Sequence, residues 1–153
     1  MHPIRRLLVD AKTSQYDSLF TRALEGSPGV LTHLIFQYSP RITEIVPQFS
    51  SYLGRLQHVG TLPDFKAPNT AVPLQSYLDT LASLPCLVSL DAVSGKTRWD
   101  HDTIALVNKS LRNLQRVMVH RAQCYVWELQ RGIWKKRNVA SFSTWDIIRG
   151  ACN

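Results

Sequence analysis

The sequence lacks long apolar runs, paired cysteines and a signal segment, and each absence excludes a class of protein. No stretch approaches the roughly 18 apolar residues that a membrane-spanning helix needs, and the opening MHPIRRLLVDAK carries no long apolar segment. We therefore expect no membrane insertion and a cytosolic location. Its three cysteines are far apart, odd in number and without CxxC spacing, so they predict neither a disulfide framework nor a zinc site.

Motifs of enzymatic chemistry are also missing. The chain has no HExxH, GxSxG, GxGxxG or P-loop pattern, and its five histidines are scattered. His101 lies between Asp100 and Asp102 and could be imagined as an acid–base group, but a solvated histidine in the first turn of a helix is the simpler explanation. We predict that the protein is not an enzyme and uses no cofactor or metal.

Positive charge is abundant and unevenly distributed. Residues 1–95 carry seven Lys/Arg and seven Asp/Glu, whereas residues 96–153 carry eleven Lys/Arg and four Asp/Glu, so the whole net charge of +7 belongs to the second region. A concentrated positive field attracts polyanions such as nucleic acid, and it also keeps subunits soluble. Charge alone leaves both interpretations open.

Helical spacing dominates the pattern, and no internal repeat or change of composition divides the chain. Pro28, Pro40 and Pro73 each mark a predicted helix start, where the missing N–H of proline costs nothing. The longest predicted helix runs from about Asp102 to Gly132. Its apolar stripe consists of Ile104, Val107, Leu111, Leu114, Met118, Tyr125 and Leu129. At 153 residues, the sequence predicts a single all-α domain, 1–153.

The segment SGKTRWDHDTIALV, residues 94–107, concentrates charge before a predicted helix. Asp100 or Thr97 can cap the helix, and Asp102 in its first turn suits the helix dipole. Capping leaves the cations of this segment unexplained. Lys96 and Arg98, together with free N–H groups at the helix start, could bind a phosphate, and Arg41 offers a second similar group.

Seven segments occur in a characteristic order along nearly the whole chain. The segments are TSQY (13–16), Pro28, SPRITEIVPQFSSYLG (39–54), LPDFK (62–66), RWDHDTIA (98–105), ELQRG (128–132) and SFSTW (141–145). Each segment alone is unspecific, but together and in this order they resemble the tobamovirus-like coat proteins of rod-shaped plant RNA viruses.

This resemblance implies an antiparallel four-helix bundle with short extended segments near its outer end. It implies a structural capsid protein that self-assembles into a helical rod, encapsidates single-stranded RNA with little sequence specificity, and is found in the virion and, during assembly, in the host cytoplasm. The implied RNA-binding residues are Arg41, Lys96, Arg98, Asp100 and Asp102. The implied outer-radius subunit contacts are Trp134, Phe142 and Trp145, and the acids nominated for a disassembly switch are Asp79, Asp91, Asp100 and Asp102.

Two other functions fit the same residues. The first is a small helical regulator that binds nucleic acid as a monomer or dimer. The second is a helical adaptor that binds an acidic protein partner through residues 109–121 and 131–137, which are rich in Lys and Arg. The aromatic tail also has two interpretations, because it can pack back on its own domain or meet a neighbouring subunit.

Overall fold

The described residues of the protein form a seven-stranded mixed sheet with four α-helices, and the prediction of an all-α four-helix bundle is wrong. The computed structural model describes residues 4–9, 16–36, 42–67, 72–121, 124–141 and 146. Arg41, Phe142 and Trp145 lie outside these residues. No helix in the described part of the chain has the length and apolarity required to cross a membrane.

Strands and helices alternate through about the first four fifths of the chain, and a hairpin follows. The strands are β1 (Arg6–Val9), β2 (His33–Phe36), β3 (His58–Leu62), β4 (Ser89–Ser94), β5 (Arg116–Arg121), β6 (Tyr125–Gln130) and β7 (Ile133–Asn138). The helices are α1 (Tyr16–Glu25), α2 (Ile42–Gln48), α3 (Leu74–Leu81) and α4 (His101–Ser110), with a short 3₁₀ turn at Ser50–Tyr52.

The strands lie in the sheet in the order in which they occur in the chain. β1 to β5 are parallel to one another, and β6 and β7 extend the sheet as antiparallel neighbours. Each parallel strand is joined to the next through one helix, which is the connection that parallel strands require. The chain therefore stacks strand–helix units side by side, as solenoid proteins do.

The units repeat in detail, which corrects the expectation that the chain has no repeat. Their strands begin at residues 6, 33, 58, 89 and 116, about 25 to 31 residues apart. At each of the four junctions, two successive N–H groups donate to one carbonyl of the preceding unit. The accepting carbonyls belong to Arg5, Thr32, Gln57 and Val88, at distances of 2.7 to 3.1 Å.

A recurring apolar spacing causes this repetition. Buried residues follow the pattern apolar-x-x-apolar-x-apolar at Leu31, Leu34 and Phe36, again at Leu87, Leu90 and Ala92, and again at Leu114, Val117 and Val119. In β3 the register shifts after Val59, so that Leu62 takes the last apolar position. Each unit thus supplies the same layer of side chains to one continuous core.

The four helices contribute side chains to one main core and pack on one face of the sheet. The main core joins helix residues such as Phe20, Ile45, Leu78 and Ile104 to the strand residues just described. The second buried cluster holds only residues of strands and of the chain just after β7, namely Leu8, Ile35, Met118, Val126 and Val139. We call the sheet face that carries this second cluster the open face.

The predicted long helix from Asp102 to Gly132 is wrong, because the chain leaves the helix after Ser110. Leu111 takes a non-helical conformation, and the β-branched Val117 and Val119 alternate within β5. The predicted helix beginning at Pro28 is also wrong, since β2 follows. The helix start at Pro73 is confirmed, because Pro73 lies at the N-cap of α3.

Candidate functional site

The strand register aligns six polar side chains in one row on the open face. Residues at the first position of each strand pair with their neighbours from β1 to β5, and Arg116 pairs with a residue near the end of β6. Side chains alternate between the two faces of a strand, and the next position along faces the helices. The row consists of Arg6, His33, His58, Ser89, Arg116 and Glu128.

A groove of about 490 Å³ follows this row across the strands. Because neighbouring strands lie about 4.8 Å apart, a groove that crosses six strands suits an extended ligand about 24 Å long. Most of its lining can form hydrogen bonds. The lining residues are Arg5, Arg6, Thr32, His33, Gln57, Val88, Ser89, Gln115, Arg116, Glu128, Leu129 and Gln130.

The groove carries more positive than negative charge. Its cations are Arg5, Arg6 and Arg116, and its carboxylate is Glu128. Glu128 is engaged on two sides, since its Oε1 lies 3.5 Å from Nε of Arg116 and 3.3 Å from Nη2 of Arg137. Arg5 is exposed, and Arg6 and Arg116 are half-buried, so all three can reach a ligand.

Two imidazole rings of the polar row stack on each other. The ring centroids of His33 and His58 are 5.4 Å apart, and Nδ1 of His58 lies 2.6 Å from Oγ of Ser89. Burial, together with the charges of His33 and Arg116, lowers the pKa of His58 to about 3. Such a weakly basic imidazole is a poor general base at neutral pH, so the Ser89–His58 pair does not favour nucleophilic catalysis.

A second cleft, of about 590 Å³, contains part of the segment that the sequence analysis selected. Arg98 and Asp100 line it, whereas Lys96 is exposed in the adjoining loop and Asp102 is exposed in the first turn of α4. The other lining residues are Ser94, Gly95, Thr97, Trp99, His101, Tyr125, Trp127 and Lys136. Only part of the proposed RNA site therefore lines one cleft, and Arg41 is outside the described residues.

The capping interpretation of Asp100 is confirmed. Asp100 is the N-cap of α4, and its Oδ1 accepts a hydrogen bond of 3.0 Å from the backbone N–H of Thr103. Hydrogen bonds from that N–H and from the Thr103 hydroxyl lower the pKa of Asp100. Its carboxylate is thus engaged by its own helix.

The floor of the second cleft is aromatic and internally hydrogen-bonded. The indole N–H of Trp99 donates to the carbonyl of Val93 at 3.2 Å, and that of Trp127 donates to the carbonyl of Trp99 at 2.8 Å. Nζ of Lys136 lies 3.8 Å from the centroid of the Tyr125 ring. These groups satisfy one another, so the cleft offers a ligand few unengaged donors.

Trp134, predicted to lie at a subunit interface, lies on β7. Its side chain is half-buried and packs against the main core of its own chain. The other two residues of that prediction, Phe142 and Trp145, lie outside the described part of the chain.

Asp64 fixes the loop that precedes Arg98. Its carboxylate accepts hydrogen bonds from the backbone N–H groups of Lys96 and Thr97 and from the Thr97 hydroxyl, at 2.6 to 2.8 Å. Burial alone would raise the pKa of Asp64, but these bonds and one from the N–H of Lys66 lower it to about 2. Gly95 passes so close to this carboxylate that a β-carbon there would collide with it.

Replacing Asp64 by Ala should destabilise the protein by about 1–2 kcal/mol, because several charge-assisted hydrogen bonds to the loop are lost. Urea unfolding at pH 7 measures this change. Asp102→Ala removes an exposed carboxylate from α4 and serves as the control, with an expected change within about 0.5 kcal/mol. Equal stability of the two variants would contradict the role given to Asp64.

No sequence motif connects the residues of the polar row. Four of the five spacings between successive members are 25 to 31 residues, and the members differ in chemical type. The available signal is the repeated apolar spacing, since each row residue in β2 to β5 directly precedes the middle apolar residue of its unit. No group of three or more metal-ligating side chains occurs within the described ranges.

Comparisons with protein-family models, with curated proteins and with solved structures found no match. No residue role can therefore be transferred from a relative. The resemblance to tobamovirus-like coat proteins gains no support from these comparisons, and the four-helix bundle that it implied is contradicted by the sheet.

Proposed function

We propose that this protein is an interaction module of the solenoid type, whose groove on the open face binds an acidic polypeptide segment. The observation that carries the proposal is the in-register row from Arg6 to Glu128 across six strands. Stacked repeats commonly use such continuous surfaces for binding, and the apolar spacing is similar to that of leucine-rich units. The function proposed here is therefore binding rather than catalysis.

The composition of the groove favours a peptide over RNA. Amide side chains of Gln57, Gln115 and Gln130 can bond to a peptide backbone, and the arginines can pair with carboxylates. The groove lining contains no Phe, Tyr or Trp on which bases could stack. Glu128 is already paired with Arg116 and Arg137 and opposes either anion, so it does not distinguish the two ligands. The amide side chains and the lack of aromatic residues in the lining favour the peptide.

This proposal is closest to the adaptor considered in the sequence analysis. That hypothesis placed the acidic partner on residues 109–121 and 131–137, and Arg116 of the first range lines the groove. The helical form of the adaptor is wrong, because residues 116–121 and 133–138 are strands. The capsid hypothesis relied on an all-α bundle, and the observed sheet removes that support.

Replacing Arg6 and Arg116 together by Ala should weaken binding of an acidic peptide about 10- to 100-fold, since two charge-assisted hydrogen-bonding groups are removed. The probe is a fluorescein-labelled twelve-residue peptide of alternating glutamate and serine, titrated by anisotropy. Arg112→Ala removes an exposed cation outside the groove and serves as the control. Circular dichroism checks that the double variant is folded.

Two outcomes would contradict the proposal. One is equal affinity of the double variant and the unchanged protein for the peptide. The other is a preference for a twelve-nucleotide single-stranded RNA over the peptide at the same ionic strength, which would favour the nucleic-acid-binding alternative. Both ligands are compared at two salt concentrations, because screening weakens non-specific attraction.

A further inference from the structure

The outer edge of β7 is an unpaired strand edge with concentrated positive charge. Within the described part of the chain, β7 pairs with β6 alone. Every residue from Ile133 to Asn138 is exposed except Trp134, which is half-buried, and the Ile133 side chain is among the most exposed large apolar groups. The edge is therefore accessible to another chain.

The hairpin register shows which backbone groups point outward. The turn has two residues, Arg131 and Gly132, both with positive φ, so Gln130 and Ile133 form the hydrogen-bonded pair that closes it. At the other end, the N–H of Val139 donates to the carbonyl of Cys124 at 3.2 Å. Hydrogen-bonded and non-hydrogen-bonded pairs alternate between these two points. The N–H and C=O groups of Trp134, Lys136 and Asn138 consequently face away from β6.

Cations surround these outward groups on both faces of the sheet. The side chains of Lys135 and Arg137 lie on the open face. Lys136 lies between them in the strand, and its side chain is on the face that the helices cover. All three are exposed, and residues 131–137 contain no acidic residue. A second copy of β7 would place like charges opposite each other, which is unfavourable, whereas a strand with acidic side chains would complement both faces.

We propose that the outer edge of β7 binds an acidic polypeptide segment as an added β-strand. The backbone groups of Trp134, Lys136 and Asn138 supply the main-chain hydrogen bonds, and Lys135, Lys136 and Arg137 select acidic side chains. Ile133 offers an apolar contact at one end of the edge. This site is separate from the groove and does not rest on the function proposed for it.

A proline at position 136 tests the backbone contribution. Lys136→Pro removes an outward N–H and leaves the ladder to β6 intact, because that ladder uses Ile133, Lys135 and Arg137. Lys136→Ala removes the same charge and the same contact with Tyr125 but keeps the N–H. The probe is a fluorescein-labelled ten-residue peptide of alternating glutamate and threonine, and all titrations use the Arg6→Ala, Arg116→Ala protein so that the groove does not contribute. We expect Lys136→Ala to weaken binding up to about fivefold, and Lys136→Pro to weaken it at least about tenfold more.

Equal affinities of the Pro and Ala variants would overturn strand addition, and so would a failure of the parent Arg6→Ala, Arg116→Ala protein to bind the peptide. If the Pro variant does not fold, this parent protein is titrated with two peptides N-methylated at alternate residues, one in each register. Strand addition requires that at least one of these peptides loses binding, and retention of binding by both would overturn the proposal. Arg112→Ala, which removes an exposed cation outside both sites, should leave the affinity within about twofold.

Discussion

At pH 5 the protein should be about 2 kcal/mol less stable to unfolding than at pH 7.5, because one buried imidazole resists protonation. His58, in the polar row, is 1% exposed. Burial, His33 and Arg116 lower its pKa from an ordinary value of 6.5 to about 3. The folded protein therefore keeps His58 neutral at a pH where the unfolded chain binds a proton.

The direction of the effect follows from the two pKa values. Above about pH 6.5 the imidazole is neutral in both the folded and the unfolded state, so the free energy of unfolding keeps its full value. As the pH falls from 6.5 towards 3, only the unfolded state takes up the proton, so stability is lost at about 1.4 kcal/mol for each pH unit. This is a large share of the 5–15 kcal/mol that holds a typical domain together.

Urea unfolding at pH 7.5, 6 and 5 measures this loss. His58→Gln retains a side chain that can bond to Ser89 but does not titrate, so its unfolding free energy should change less between these pH values. His101→Gln replaces an exposed histidine and serves as the control, with a pH dependence like that of the unchanged protein. An unaltered pH dependence in His58→Gln would assign the effect to other groups.

Local signals in the sequence predicted local structure correctly. Proline fixes its own φ and lacks an N–H, so Pro73 marked the start of α3 whatever packs around it. Asp100 satisfies N–H groups within its own first turn, so its capping role was also predictable. Both depend on residues close together in the chain.

The fold class depends on longer spacings, and there the helical interpretation failed. Ile104, Val107, Leu111 and Leu114 have helical spacing, but the helix includes only the first two and ends at Ser110. Leu114, which continues the stripe, also begins the repeated spacing that places a strand in the core. A periodicity that two structures share cannot distinguish them, whereas comparison of spacings 25 to 31 residues apart can.

Local sequence patterns could not predict the candidate groove, for a related reason. Arg6, His33 and Arg116 have no sequence relationship to one another except their position in successive units. Once the units are aligned, the first residue of each strand is predicted to lie in one row. The charge excess of residues 96–153 did indicate a basic surface, and β7 carries a large part of it.

Replacing Asp91 by Ala should produce the largest loss among single substitutions considered for this protein. Asp91, in β4, is 0% exposed, its Oδ2 accepts a 2.8 Å hydrogen bond from the Thr61 hydroxyl, and its Oδ1 lies 2.5 Å from Nε2 of His120. The residue at position 60 is Gly, and a β-carbon there would collide with Asp91. The sequence predicts Asp91 to be one of the acids of a disassembly switch. In the structure its contacts connect β4 to its two neighbours, β3 and β5.

Removing this carboxylate leaves the Thr61 hydroxyl and the His120 ring without that partner in a space closed to water, so we expect a loss of about 3–5 kcal/mol. Asp91→Asn keeps the shape and a hydrogen-bonding amide, and it should lose less. Asp79→Ala removes an exposed carboxylate of α3 and should change stability by at most about 0.5 kcal/mol. Urea unfolding at pH 7.5 compares the three variants. If Asp91→Ala is as stable as Asp79→Ala, the buried contacts among β3, β4 and β5 do not stabilise the sheet, and packing of the apolar layers alone must hold these strands in register.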